Sequence, residues 1–240
     1  MCLAKHHAVI YILIDVQTNS ITAEFWRKPW TDTIAYWKLD WDLNDYSWNN
    51  RHATWSSNIT YQTLTSWIKV AKTTSNSNDW ISVPWNIANL LSWDFTVSFW
   101  INPAWAWTMW LMFAIRRDVS PYTWVLIWYW FSDNYIRFNL NDNEYIRTSV
   151  TRSQIQWKRT HICLTRKNWV VKCYINANQE WSMNSSSFTT NWDSWYIVSR
   201  INAQNMYSWT MWSEFIVEKK WRTDEEIIKY VNNTKNKYWL

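Results

Sequence analysis

Glycine is absent from all 240 residues. Ordinary proteins carry about 7% glycine, so roughly 17 residues are missing. Without glycine, no residue reaches positive φ freely, and tight turns fall to side chains that resist them. The absence is matched by an excess, because the chain holds 26 Trp. Trp follows Asp at Trp41 and Trp80, Ser at Trp48, Trp67, Trp93 and Trp209, and Asn at Trp169 and Trp192. Those are the partners of glycine in Asp-Gly, Ser-Gly and Asn-Gly turns. Most Trp therefore stand where the backbone chemistry asks for glycine. Trp37 and Trp100 are exceptions, since both lie inside apolar strand-like runs.

Other absences narrow the function. Three Cys give no disulfide framework. Cys163 and Cys173 flank Lys167-Asn168-Trp169. A three-residue turn would set them opposite each other, whereas a two-residue turn would pair Cys163 with Tyr174 and separate the cysteines onto opposite faces. No apolar run is long enough to span a bilayer. The net charge is +5, but the basic residues are scattered, with Lys219-Lys220-Trp221-Arg222 the densest run. That reads as solvated surface rather than a nucleic-acid interface. No internal repeat or long low-complexity linker is present.

What is there is a series of short strands. Phe95 to Ile101 alternates, with Phe95, Val97, Phe99 and Ile101 on one face. Residues 123–130 form a continuous apolar run, and 134–140 alternate again. Residues 160–165 and 170–176 form a hairpin about Asn168-Trp169. Residues 196–198 and 214–218 complete the set. One helix follows Thr223-Asp224-Glu225-Glu226, a capping box with acidic residues in the first turn. The expectation is an all-β, two-sheet antiparallel sandwich with a short C-terminal helix over 34–240. Residues 1–33 form a separate N-terminal segment. Its apolar stretch Ala8 to Ile14 fits either a weak secretory signal or an extra strand.

These residues carry a resemblance. Ile34 to Trp41, then Asp45-Tyr46-Ser47-Trp48-Asn49-Asn50, looks like the opening strand and Asp-x-Ser-Gly-Asn loop of a laminin G-like, concanavalin A-like jelly roll. Asp79 to Pro84 and Asp94 to Ile101 resemble its next strands. Thr160 to Thr165 with Lys172 to Asn176 resemble its late hairpin, and 214–217 followed by 223–227 its closing strand and helix. Placing glycine at 41, 48, 80, 157, 169, 209 and 212 brings each segment closer to that pattern. Two departures are Arg159 where the family has Trp and Ser213 where it has Asp. Asn176-Ala177-Asn178 also replaces a usual Asn-Gly turn.

The resemblance implies a non-catalytic extracellular or cell-surface module that binds glycans or proteins, often with a structural Ca²⁺. Asp45, Asn49, Asn50 and Asp79 supply oxygen ligands of the kind calcium takes, and ordinary Asx-turn chemistry explains the same residues. The Ser213 departure removes one acidic group. Tyr122, Tyr129 and Tyr207 are candidate sugar-stacking platforms, with packing as their competing role. A structural or adhesion module of a surface or phage assembly would use the same sandwich. A glycoside hydrolase or polysaccharide lyase of this fold would need paired carboxylates. No Glu-x-Asp-x-x-Glu match is present, since Glu214 and Glu218 have no Asp between them.

Two origins fit the Trp pattern: deliberate replacement, or a UGA codon read as Trp in one genetic code and as Gly in another. The second requires every glycine codon to be the reassigned one. Peptide mass spectrometry of native material distinguishes them. Recoding predicts glycine masses at 41, 48, 157 and 169, and Trp masses there would refute it.

Overall fold

A computed structural model describes residues 11–15, 20–24, 32–55, 59–64, 69–72, 81–83, 94–103, 110–116, 124–129, 134–141, 144–184, 194–197 and 210–235. The chain divides into two compact units, Met1–Thr31 and Asp32–Leu240. Within the first, β1 (Tyr11–Asp15) and β2 (Ser20–Glu24) form an antiparallel hairpin with Ile14 opposite Ile21.

The second unit is a two-sheet sandwich. Its first sheet runs in the order β15 (Asn178–Asn184), β14 (Val170–Ile175), β13 (Thr160–Lys167), β8 (Phe95–Pro103), β17 (Thr210–Glu218), β6 (Lys69–Lys72) and β5 (Thr60–Thr63). Strand β3 (Thr33–Trp37) also pairs with β17. The second sheet runs β12 (Glu144–Thr151), β11 (Tyr135–Asn141), β10 (Trp124–Tyr129), β9 (Trp110–Arg116), β16 (Ser194–Ile197), β7 (Ile81–Val83) and β4 (Thr54–Trp55). Neighbouring strands are antiparallel in both.

Period-2 alternation sends Phe95, Val97, Phe99 and Ile101 of β8 into the space between the sheets. Ile162 and Leu164 of β13 and Phe215 and Val217 of β17 meet them there, with Ile127, Ile136, Phe138 and Ile146 from the second sheet. Phe99 stacks on Phe215 at 5.0 Å, and Trp37 closes the other side at 5.9 Å. The buried Trp37 indole Nε1 donates to the Arg51 carbonyl at 2.9 Å.

The opposite face of the first sheet is covered by α2 (Asp224–Thr234). Thr223 caps it as the sequence predicts: Thr223 Oγ1 accepts from Glu226 N at 3.2 Å, and Glu226 Oε2 accepts from Thr223 N at 2.9 Å. Ile227 and Val231 pack on Trp100, Cys163 and Tyr174. Asp224 Oδ1 accepts from the Tyr174 hydroxyl at 2.7 Å and from Lys172 Nζ at 3.0 Å. The buried Thr96 hydroxyl donates to the Lys220 carbonyl at 2.7 Å and accepts from Arg222 N at 3.1 Å, tying the strand to the segment that enters the helix.

Between sheet and helix lies a stack of rings and cations. The Arg159 guanidinium sits 4.1 Å from the Trp100 ring centroid. Trp100 lies 5.1 Å from His161, and His161 5.3 Å from Tyr230. The Arg222 guanidinium closes the far end, 4.8 Å from Tyr230. Arg222 Nη2 also donates to Glu218 Oε1 at 3.0 Å, and both side chains are buried.

Turn geometry bears out part of the glycine reading and corrects part of it. Lys167 pairs with Val170 and Cys163 with Tyr174, so the Asn168-Trp169 turn has two residues. The cysteines are free and lie on opposite faces. Asn168 and Trp169 have φ of 47° and 71°, and Trp157 has 61°. Asn176 and Ala177 do the same at the next turn, with 51° and 67°. At Trp41 and Trp48, however, the positive φ falls on neighbours, Leu39 at 58° and Asn50 at 51°. Exposure separates the two kinds of Trp. Trp37 and Trp100 are 0% and 3% exposed, whereas Trp41, Trp48, Trp157 and Trp169 are 61%, 76%, 60% and 53% exposed.

Two predictions follow from these contacts. Left-handed backbone costs a non-glycine residue about 1–2 kcal/mol, so Trp157→Gly and Trp169→Gly should each raise Tm by roughly 2–8 °C. A thermal melt showing no gain would refute the strain. His161 is wholly buried, and desolvation, then repulsion by Arg222 and Arg159, lowers its pKa to about 3. The unfolded imidazole takes up its proton near pH 6.5. Between those values the unfolded state binds more protons, so this stabilisation is full above about pH 6.5 and falls as pH drops, by about 1.4 kcal/mol per unit. Urea denaturation at pH 7 and pH 5 should show that loss, and His161→Phe should remove it. An unchanged slope in the variant would refute the assignment.

Candidate functional site

The opening loop is built around one carboxylate. Asp45 Oδ1 accepts from Tyr36 N at 2.9 Å and Ser47 N at 2.8 Å. Its Oδ2 accepts from Ser47 Oγ at 2.7 Å and Arg51 N at 2.8 Å. Asn49 Nδ2 donates to the Thr33 and Ile34 carbonyls at 2.9 and 3.0 Å. Asn50 is an exposed positive-φ turn residue. A calcium ion needs oxygen lone pairs, and here those of Asp45 already meet N–H and O–H donors. The loop is an Asx-type hydrogen-bonded corner. Asp79 lies outside the described residues, as do Tyr122 and Tyr207. Tyr129 ends β10, opposite Trp110 and Ile136.

Glu214 and Glu218 are both buried and hydrogen-bonded. A β-bulge between Ser213 and Ile216 puts both Ser213 and Glu214 toward the helix face of the first sheet. The buried Glu214 carboxylate accepts the Tyr230 hydroxyl at 3.1 Å and also hydrogen-bonds Tyr36, whose pKa burial and this carboxylate push upward. Glu218 is committed to Arg222. Burial raises its pKa, and Arg222 opposes that shift.

The same bulge borders a cavity of about 810 Å³ at the end of the stack. Trp100, Ile101 and Asn102 of β8 line it, with Ser213 of β17 and Val70 of β6. α1 (Arg152–Ile155) and the loop after it add Gln154, Trp157, Lys158 and Arg159. The β14–β15 turn adds Asn176, and α2 adds Val231, Asn232 and Lys235. Positive φ at Trp157 lets its amide donate to the Pro103 carbonyl at 2.8 Å, which carries the exposed ring to the cavity. Asn176 is held by its Oδ1, which accepts from His161 N at 2.9 Å.

Among the described residues, the Trp100 indole Nε1, a donor, and Asn102 Oδ1, an acceptor, are buried on lining residues without a hydrogen-bond partner. Unmet buried groups are rare in folded proteins and call for a partner. Arg159 Nη2 donates to Ser213 Oγ at 3.5 Å, so the two sequence departures touch each other at this cavity. Among the described residues the lining holds the cations Lys158, Arg159 and Lys235 and no Asp or Glu. Sequence reasoning kept Trp100 and noted Arg159 and Ser213, but nothing local marked Asn102, Asn176 or Lys235 as their neighbours.

No protein-family model matches the chain, and no curated protein does. Solved structures do. The binding domain of Paraclostridial mosquitocidal protein 1 matches with TM-score 0.65 and 18% identity, over 85% of this chain and 53% of that one. Botulinum neurotoxin type C, whose cell entry is dependent upon interaction with two ganglioside molecules, matches at 0.62 and 18%, over 84% and 51%. A Trypanosoma rangeli sialidase in complex with 2,3-difluorosialic acid matches at 0.67 and 11%, over 87% and 34%. The chain thus spans about half the length of the toxin domains it resembles. At these identities the shared property is the fold, an antiparallel β-sandwich.

Proposed function

We propose that this chain is a non-catalytic extracellular binding module of the laminin G-like type that takes a saccharide into the cavity beside Trp100. The observation that carries this is a cavity of about 810 Å³ lined by Trp100 and Asn102, whose buried indole N–H and amide oxygen have no hydrogen-bond partner among the described residues. Small-ligand sites have such a form: apolar walls with a few converging polar groups. A sugar hydroxyl both donates and accepts, so saccharides suit a wall that offers a donor and an acceptor alike. Val70 and Val231 supply apolar surface for the CH face of a sugar ring.

Among the described residues the lining carries no carboxylate of the kind hydrolysis uses as acid or base. Solved neighbours include a toxin described by its ganglioside interaction and a sialidase bound to a sugar analogue, which agrees with glycan recognition on this architecture. Among the described residues no helix is long and apolar enough to cross a membrane.

The test is a glycan array with the full chain, then titration of Asn102→Ala. The Asn102 oxygen is buried without a partner, so its removal should leave Tm unchanged or slightly raised. Affinity for any array ligand should fall about tenfold, the size of one lost hydrogen bond of about 1.4 kcal/mol. No ligand on the array would favour the structural or adhesion role. A ligand indifferent to Asn102→Ala would place recognition elsewhere.

A further inference from the structure

We infer that α2 is an acid-released cover, docked on the first sheet while His161 is neutral and let go more often once His161 takes a proton. His161 lies in the layer between that sheet and α2 and is wholly buried. The Trp100 ring of β8 is 5.1 Å away, and the Tyr230 ring of α2 is 5.3 Å away. Among the described residues neither ring nitrogen of His161 has a hydrogen-bond partner. A neutral imidazole leaves one donor and one acceptor unmet there, whereas an imidazolium leaves two donors and a charge. Protonation therefore raises what the ring gains by meeting water.

The groups packed around the ring do not favour that proton. Besides desolvation, Arg222, from the segment that enters α2, and Arg159, ahead of β13, both act against a charge on it. On β17, Glu218 is paired with Arg222, and Glu214 is hydrogen-bonded to Tyr230 of α2 and Tyr36 of β3. Cys163 of β13, Tyr174 of β14 and Tyr230 stay neutral, because burial pushes all three upward. Opening the sheet to hydrate the ring is costly, since β13 is paired on both sides, to β8 and to β14. Lifting α2 costs less. It has eleven residues, of which Ile227 and Val231 are buried, and a helix of that length is marginal in water by itself. Its first turn holds longer in acid. The Tyr174 hydroxyl and Lys172 keep Asp224 below the usual carboxylate range, and, against burial, Lys220 and the Thr223 amide do the same for Glu226. The end that carries Tyr230 and Val231 is the part that gives way. The same helix brings Val231, Asn232 and Lys235 to the cavity, so that wall is in place only while α2 is docked.

The two buried cysteines read the opening. Cys163 lies under α2 with Ile227 and Val231, whereas Cys173 lies between the two sheets, and both are free. The full chain is labelled with 4,4′-dithiodipyridine, which reacts with thiols in acid. Each site is followed by peptide mass spectrometry against the urea-unfolded chain at the same pH. A hydrated imidazole titrates near pH 6.5, so the relative labelling of Cys163 should rise roughly 25-fold between pH 7 and pH 5. Cys173 should stay protected at both. In His161→Phe the labelling of Cys163 should be flat across that range. Amide hydrogen exchange over residues 227–234 of the unmutated chain should follow Cys163, which keeps the reading independent of how the variant folds.

Equal gains at Cys163 and Cys173 would mean that the whole sandwich opens and would overturn the release of the helix. No gain at Cys163 down to pH 5 would overturn it as well. A gain that survives in His161→Phe would move the trigger to Glu218, whose pKa burial also raises, and would end the role given to His161.

Discussion

Strand β8 is buried on both faces, and the rest of the sandwich is arranged to meet the two demands this makes. Between β13 and β17 its backbone groups are paired on either side. One face offers Phe95, Val97, Phe99 and Ile101 to the space between the sheets. The other offers Thr96, Ser98 and Trp100, all buried, and two of these carry hydroxyls. An apolar face needs only a second sheet. A polar face taken from water needs specific partners. Thr96 finds them in the Lys220 carbonyl and the Arg222 amide, which is why the chain after β17 turns back across the sheet before α2 begins.

That cover brings charge into a dry layer. Glu218 and Arg222 are paired there, and Glu214 is met by tyrosine hydroxyls. Taking such groups from water is costly, and mutual pairing offsets the cost without making the pair a large stabiliser. Their value lies in placement. Arg222, Tyr230, His161, Trp100 and Arg159 form one continuous stack, so the orientation of Trp100 at the cavity is set by contacts that run along the layer between sheet and helix. The bulge in β17 belongs to the same arrangement, since it puts Ser213 beside Arg159 and Glu214 beside Tyr230 from consecutive positions.

Much of this was legible in the sequence where the cause is local. The alternation in β8, the hairpin about Asn168-Trp169 and the capping box at Thr223 depend on residues close together in the chain, and they stand where the pattern puts them. The retention of Trp37 and Trp100 as core side chains also held, because each lies in an apolar run. Strands β9, β12 and β15 were not legible: Asn178–Asn184 is mostly polar and is recruited by pairing with β14. The assignment of positive φ to Trp41 and Trp48 failed because several residues share one turn, and its geometry passed the strain to Leu39 and Asn50. Asp45 and Asn49 stand in one loop as the sequence groups them, and their hydrogen bonds make it an Asx-type corner.

By itself the sequence determined the periods of the strands, the place of the turns and the cap of α2, since each follows from steric and hydrogen-bonding preferences within a few residues. Tertiary structure alone decided which face of each strand meets a helix and which meets a sheet. It separated Cys163 from Cys173, chose the two-residue turn, and gathered Asn102, Arg159, Asn176, Ser213 and Lys235 around Trp100. The physical reason is distance along the chain. The cavity is a property of groups brought together from β8, the α1–β13 loop, the β14–β15 turn, β17 and α2, and no local preference records which of them will be neighbours.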